Sequence, residues 1–83
     1  MVYVYILQSK AHPDRRYIGF SADLKQRVSD HNSGKNPSTR ASKPWILVFY
    51  AGFRSKSDAL EFESYLKTAS GKAFARKRLL PKA

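Results

Sequence analysis

Apolar and polar positions alternate from Val2 to Leu7, with Val2, Val4 and Ile6 on one side and Tyr3, Tyr5 and Leu7 on the other, which predicts a β-strand. His12-Pro13-Asp14 is a turn signal and Arg16 to Phe20 reads as a second strand. The two strands are expected to pair antiparallel across a loop from about Ser9 to Arg15. Gly19, near the end of the second strand, marks a bend or a close backbone approach. Ser21 or Asp23 then caps a predicted helix to about Asn32, ended by Ser33-Gly34, with Leu24, Val28 and His31 facing inward. A polar loop from Asn36 to Pro44 leads into the most apolar run, Trp45 to Ala51, expected as the third and central strand. Ser55 with Asp58 has the spacing of a capping box and starts a helix to about Thr68, for which Ser70-Gly71 is the expected stop. A short last helix from Lys72 to about Leu79 is expected to turn Phe74 to the core and Arg76, Lys77 and Arg78 to water. The order β-β-α-β-α-α predicts an α/β (α+β) fold, a three-stranded antiparallel sheet flanked by helices. With no linker composition, repeat or low-complexity stretch, one domain is expected over residues 1–83.

Charge narrows the partners. Lys and Arg number 16 against 6 Asp and Glu, a net charge of +10, which concentrates polyanions at the surface and points to nucleic acid, with anionic lipid as the competing partner. From Lys67 onward, Lys67, Lys72, Arg76, Lys77 and Arg78 follow one another with no acid between them. There is no cysteine, so no disulfide partner and no thiolate metal site or nucleophile is expected. No apolar run is long enough to span a membrane, and the first residues lack a basic leader, so a cytoplasmic location is expected.

Three features carry candidate chemistry. Ala59, Phe62, Glu63 and Leu66 follow the i, i+3, i+4, i+7 spacing of a core-facing stripe, which sets one carboxylate beside apolar neighbours. Such a carboxylate calls for a metal ion or an Arg, or else reaches Lys67 one turn later. Arg27 and His31 lie one above the other on a helix face; a surface Arg and a cap-proximal His, with Asp23 paired to Arg27, is the plainer reading of them. Tyr3 and Tyr5 share a strand face to which pairing can bring Tyr17, although strand tyrosines are more often packing residues. His12 and His31 have no neighbouring ligand pair of the kind a zinc site needs, and no phosphate-binding glycine loop or catalytic triad is visible.

Taken in order, these elements resemble the GIY-YIG nuclease superfamily. Its first motif corresponds to Tyr3-Val4-Tyr5, departing at the leading glycine, and its second to Tyr17-Ile18-Gly19. The Arg27 helix with His31, and Glu63 in the helix after the third strand, complete the set, and the resemblance covers essentially the whole chain. The chain is most similar to small bacterial proteins of the UPF0213 type, related to the nuclease domain of excinuclease ABC. The resemblance implies hydrolysis of DNA phosphodiester bonds with one divalent ion, Mg²⁺ or Mn²⁺, in repair or on branched, damaged or single-stranded DNA. It implies Tyr5 and Tyr17 as active-site tyrosines without deciding which activates water, Arg27 as phosphate clamp, His31 as the helix histidine and Glu63 as metal ligand. Lys25, Lys35, Arg40, Lys43, Arg76, Lys77 and Arg78 are the expected nucleic-acid contacts. Many members carry an Asn near the last helix, where this chain has Lys and Arg. That departure, with the altered first motif, implies weak or selective cleavage. The alternative is a non-catalytic nucleic-acid-binding module that retains the nuclease fold; a structural protein whose charge is incidental is the weaker third.

Overall fold

The computed structural model describes residues 1–81. Three strands, β1 (Val2–Ser9), β2 (Arg16–Ser21) and β3 (Trp45–Phe53), and three helices, α1 (Leu24–Ser33), α2 (Lys56–Leu66) and α3 (Ala69–Arg78), follow in the expected order. A short 3-10 turn, Arg40–Ser42, precedes β3. The sheet is antiparallel throughout, in the order β2-β1-β3.

The central strand is therefore β1, not β3 as expected. The apolar content of Trp45 to Ala51 is a misleading guide, because Ile46 and Tyr50 on β3 are largely exposed. In β1 the run Val4-Tyr5-Ile6-Leu7 is buried on both faces, which is what a strand covered on two sides requires. Val4 and Ile6 pack with Ala59 and Leu66 of α2 and Ala75 of α3. Tyr5 and Leu7 point the other way, into a second cluster with Trp45, Leu24 and Val28. Alternation along one strand thus divides the core in two, with α1 on one face and α2 and α3 on the other.

Helix ends follow local chemistry. Asp23, not Ser21, caps α1 by accepting from the Gln26 N–H, which also removes the expected Asp23–Arg27 ion pair. Gly34 closes α1 in the left-handed region (φ 83°), donating to the Asp30 and His31 carbonyls. Ser55 caps α2 by accepting from the Asp58 N–H.

Two expectations at the C-terminal end fail together. Ser70-Gly71 does not stop a helix; Thr68 caps α3 by accepting from the Gly71 N–H, and Gly71 lies in the first turn of that helix. Glycine is needed there for close approach. A Cβ at Gly71 would lie 2.6 Å from the Tyr65 carbonyl carbon and 2.7 Å from the Leu66 Cα, both backbone atoms that cannot swing aside. The earlier start rotates α3, so Ala75 faces the core and Phe74 stays 39% exposed against Tyr65, contrary to the expected inward Phe74. Gly71→Ala is expected to cost at least ~2 kcal/mol, the scale of overpacking, read as a lowered urea midpoint with unchanged slope. A midpoint within error of the parent would contradict this packing.

Candidate active site

Gly19 of β2 pairs with Tyr5 of β1, and the missing side chain lets the Tyr5 ring lie across it. The Tyr5 hydroxyl sits 2.7 Å from where a Gly19 Cβ would be. This is the close approach that the glycine's position in the strand suggests. Tyr17, two residues earlier on the same face of β2, meets the Tyr5 ring at a centroid distance of 6.3 Å. α1 lays His31 against both: its ring lies 4.7 Å from that of Tyr17, and its Nε2 is 3.2 Å from the Tyr5 hydroxyl.

His31 is fully buried, and each ring nitrogen has a partner. On the far side Nδ1 lies 2.8 Å from Thr39 Oγ1, whose own hydroxyl is directed to the Asn36 carbonyl at 3.4 Å. With the Thr39 proton committed there, Nδ1–H donates to Thr39 and Nε2 accepts from the Tyr5 hydroxyl. Burial first, and then the Arg27 charge, lower the pKa of His31, with Asp30 opposing, so the neutral ring is favoured. This overturns the cap-proximal, dipole-stabilised charged histidine as the plain reading of the position. Burial also pushes the Tyr5 phenol well above its ordinary range; Tyr17 and Glu63 add to the shift and Arg27 opposes it. Tyr5 is thus held as a neutral donor.

A histidine with a folded-state pKa below its unfolded value contributes stability above about pH 6.5 and loses it as pH falls through the folded pKa. The thermal midpoint is therefore expected to drop between about pH 7.5 and 5.5. A midpoint that is flat or rises across that window would be incompatible with a buried, neutral His31.

Tyr5, Tyr17, Arg27 and Glu63 line one cavity of about 320 Å³, together with Gly19, Phe20, Ser21 and Ala22. It opens beside β2, an edge strand, where α1 brings Arg27 from one face of the sheet and α2 brings Glu63 from the other. Glu63 is the only carboxylate among the lining residues, and its side chain is 13% exposed. It also meets Lys67 at 3.4 Å, so the pairing one turn along the helix exists together with the cavity-facing position. Tyr17 makes no side-chain hydrogen bond among the described residues, unlike Tyr5. No group of three or more His, Cys, Asp or Glu side chains is placed to hold a metal ion among the described residues. One hard carboxylate facing an open, hydroxyl-lined cavity is the donor set that suits a weakly held, largely hydrated Mg²⁺ or Mn²⁺.

A match to the model of the GIY-YIG catalytic domain spans residues 1–78. The chain belongs to the GIY-YIG family. It is 39% identical over 66 residues to a UPF0213 protein of Streptococcus pneumoniae, covering 78% of this chain and 65% of that relative's length. A UPF0213 protein of Staphylococcus haemolyticus is 36% identical over 69 residues, with 82% of each chain covered. The structure-specific endonuclease subunit SLX1 of Candida dubliniensis is 41% identical over 73 residues, 80% of this chain but only 26% of that protein. The solution structure of a UPF0213 protein from Bacillus halodurans superposes with a TM-score of 0.55 at 33% identity, covering 93% of this chain and 84% of that one.

Other expected residues fall elsewhere. Tyr3 leaves the GIY-YIG cavity and joins Tyr50 along a separate groove that also includes Lys25. Lys35 and Arg40 follow α1 and Lys43 precedes β3, with Lys35 paired to Asp30 at 3.5 Å. Arg76, Lys77 and Arg78 belong to α3 on the opposite face of the sheet. The expected basic contacts thus form two groups, not one surface. Thr39 and Asn36 give no signal of their role within the polar loop; nothing in their local spacing links them to a histidine eight positions before Thr39.

Proposed function

We propose that this chain is a metal-dependent endonuclease that hydrolyses DNA phosphodiester bonds at the cavity beside β2. The observation that carries the reading is the convergence of Tyr5, Tyr17, Arg27 and Glu63 on that one cavity. Membership of the GIY-YIG family supports it. Glu63 is the residue that would hold Mg²⁺ or Mn²⁺. Bound there, the ion supplies Lewis-acid stabilisation of the phosphate and of the leaving oxygen.

Arg27 donates to the phosphate oxygens, where negative charge grows as the reaction proceeds. Tyr17 accepts from the attacking water, because its hydroxyl is the one left available to the cavity. Tyr5, held neutral and directed to His31, fixes the ring wall against which Tyr17 rests. Tyr17→Phe is therefore expected to lower the cleavage rate more than Tyr5→Phe, by about tenfold or more, within the range of one acid–base contact. Equal losses would assign the two hydroxyls interchangeable roles and remove this division. Similarity to the structure-specific endonuclease subunit SLX1 supports branched or otherwise non-duplex DNA as the substrate.

The test is incubation of the purified protein with supercoiled, single-stranded and branched DNA in Mg²⁺, Mn²⁺ or EDTA. Metal-dependent nicking is the expected result. The ion pair between Glu63 and Lys67 favours one other reading, a nucleic-acid-binding module whose carboxylate has become structural. Tight binding without cleavage of any substrate in either metal would establish that reading instead.

A further inference from the structure

On the other face of β2 lies a second cavity, of about 290 Å³, with an unusual lining. Its floor is apolar: Ile6, Ile18, Leu66, Ala75 and Leu80. Its rim is charged, formed by Arg16, Lys72 and Arg76 with one carboxylate, Asp14. Lys72, Ala75 and Arg76 fall on one stripe of α3, and the small Ala75 between the two cations leaves room above the floor. None of these four charged side chains takes part in an ion pair among the described residues. Three cations converging without partners on an apolar hollow complement a ligand with an anionic group and a compact apolar body. A volume near the lower end for small-molecule pockets admits one planar ring system, not a larger cofactor.

We propose that this cavity binds a nucleoside monophosphate unit, with the base on the apolar floor and the phosphate held by Arg16, Lys72 and Arg76. Asp14 would repel a phosphate but accepts from an exocyclic amine, which favours adenine, cytosine or guanine over thymine. The cavity adjoins the first site through two elements. Leu66 is one turn from Glu63 on α2, about 5–6 Å along the helix surface. Arg16 and Ile18 flank Tyr17 on β2. That separation is on the scale of one or two nucleotide steps of about 3.4 Å each. In a strand, the unit would be an unpaired nucleotide beside the phosphate at Glu63; this placement rests on the nuclease reading, whereas the pocket does not.

The test measures binding, not cleavage, so that failure of either idea is separately visible. Backbone-amide NMR titrations of the Glu63→Gln protein are run with deoxyadenosine monophosphate, thymidine monophosphate, deoxyribose phosphate, inorganic phosphate and anionic phospholipid vesicles. Deoxyadenosine monophosphate is expected to shift Ile6, Ile18, Leu66 and Ala75, and to bind at least ~10-fold more tightly than deoxyribose phosphate, the scale of burying part of a base. Its advantage over thymidine monophosphate is expected to vanish in Asp14→Asn. Lys72→Ala/Arg76→Ala, with an unchanged thermal midpoint, is expected to abolish the shifts. Tighter binding of a duplex carrying one unpaired adenosine assigns the strand as source, and tighter binding of the free nucleotide assigns the mononucleotide. Equal binding of all phosphates, shifts confined to Tyr17 and Arg27, or a response to vesicles alone would overturn the proposal.

Discussion

Glu63→Gln is expected to reduce metal-dependent DNA cleavage at least ~100-fold, the scale of losing a charge-stabilising group. The substitution keeps the shape of the side chain and removes its charge. What it removes structurally is small: one i, i+4 contact to Lys67, a pair worth about 0.3–0.5 kcal/mol. The thermal midpoint should therefore move by no more than about 2–4 °C for a domain of this size. DNA affinity should hold or rise, because an acid is removed from a protein of net charge +10. Measured together, rate, midpoint and affinity separate the possibilities. A cleavage loss matched by a collapse of the midpoint would make Glu63 structural, and undiminished cleavage would remove it from the site.

Gly19→Ala is the second large effect, and it acts without touching any charged group. The new methyl would lie 2.7 Å from the Tyr5 hydroxyl, 2.8 Å from Tyr5 Cζ and 3.0 Å from Tyr17 Cε2. Tyr5 is 1% exposed and packed with Leu7 and Trp45, so its ring has nowhere to retreat. Relief must come from breaking the 3.2 Å contact with His31 or from displacing Tyr17 into the cavity. Overpacking of this kind costs about 1–3 kcal/mol of stability. A displacement near 1 Å at reacting groups costs about 100-fold in rate. Assays run well below the variant's own midpoint should show the rate loss with the protein folded. If the lost activity merely tracks the unfolded fraction, the glycine serves packing alone.

The motif Tyr17-Ile18-Gly19 gains a physical meaning from this geometry. Its tyrosine faces the cavity, its isoleucine faces the opposite core, and its glycine makes room for a ring from the neighbouring strand. Strand alternation alone separates the first two. The third depends on register, because only the pairing of Tyr5 with Gly19 places that ring over that glycine.

Local pattern in the chain was enough for the strands, the caps at Asp23 and Ser55, the Gly34 helix end and the element order. These follow from short-range periodicity and backbone chemistry, which act over a few residues. Pattern misjudged β3 as central because apolar content does not reveal which strand is covered on both faces. It misread Gly71 as a stop because a glycine required by close approach to Tyr65 looks, in one dimension, like a glycine required by a turn. The tertiary structure alone decided that Glu63 and Arg27, from helices on opposite faces, meet past the β2 edge, and that Thr39 holds His31 for Tyr5. Those contacts join residues distant in sequence, so their energies depend on how the layers pack, and no local spacing encodes that.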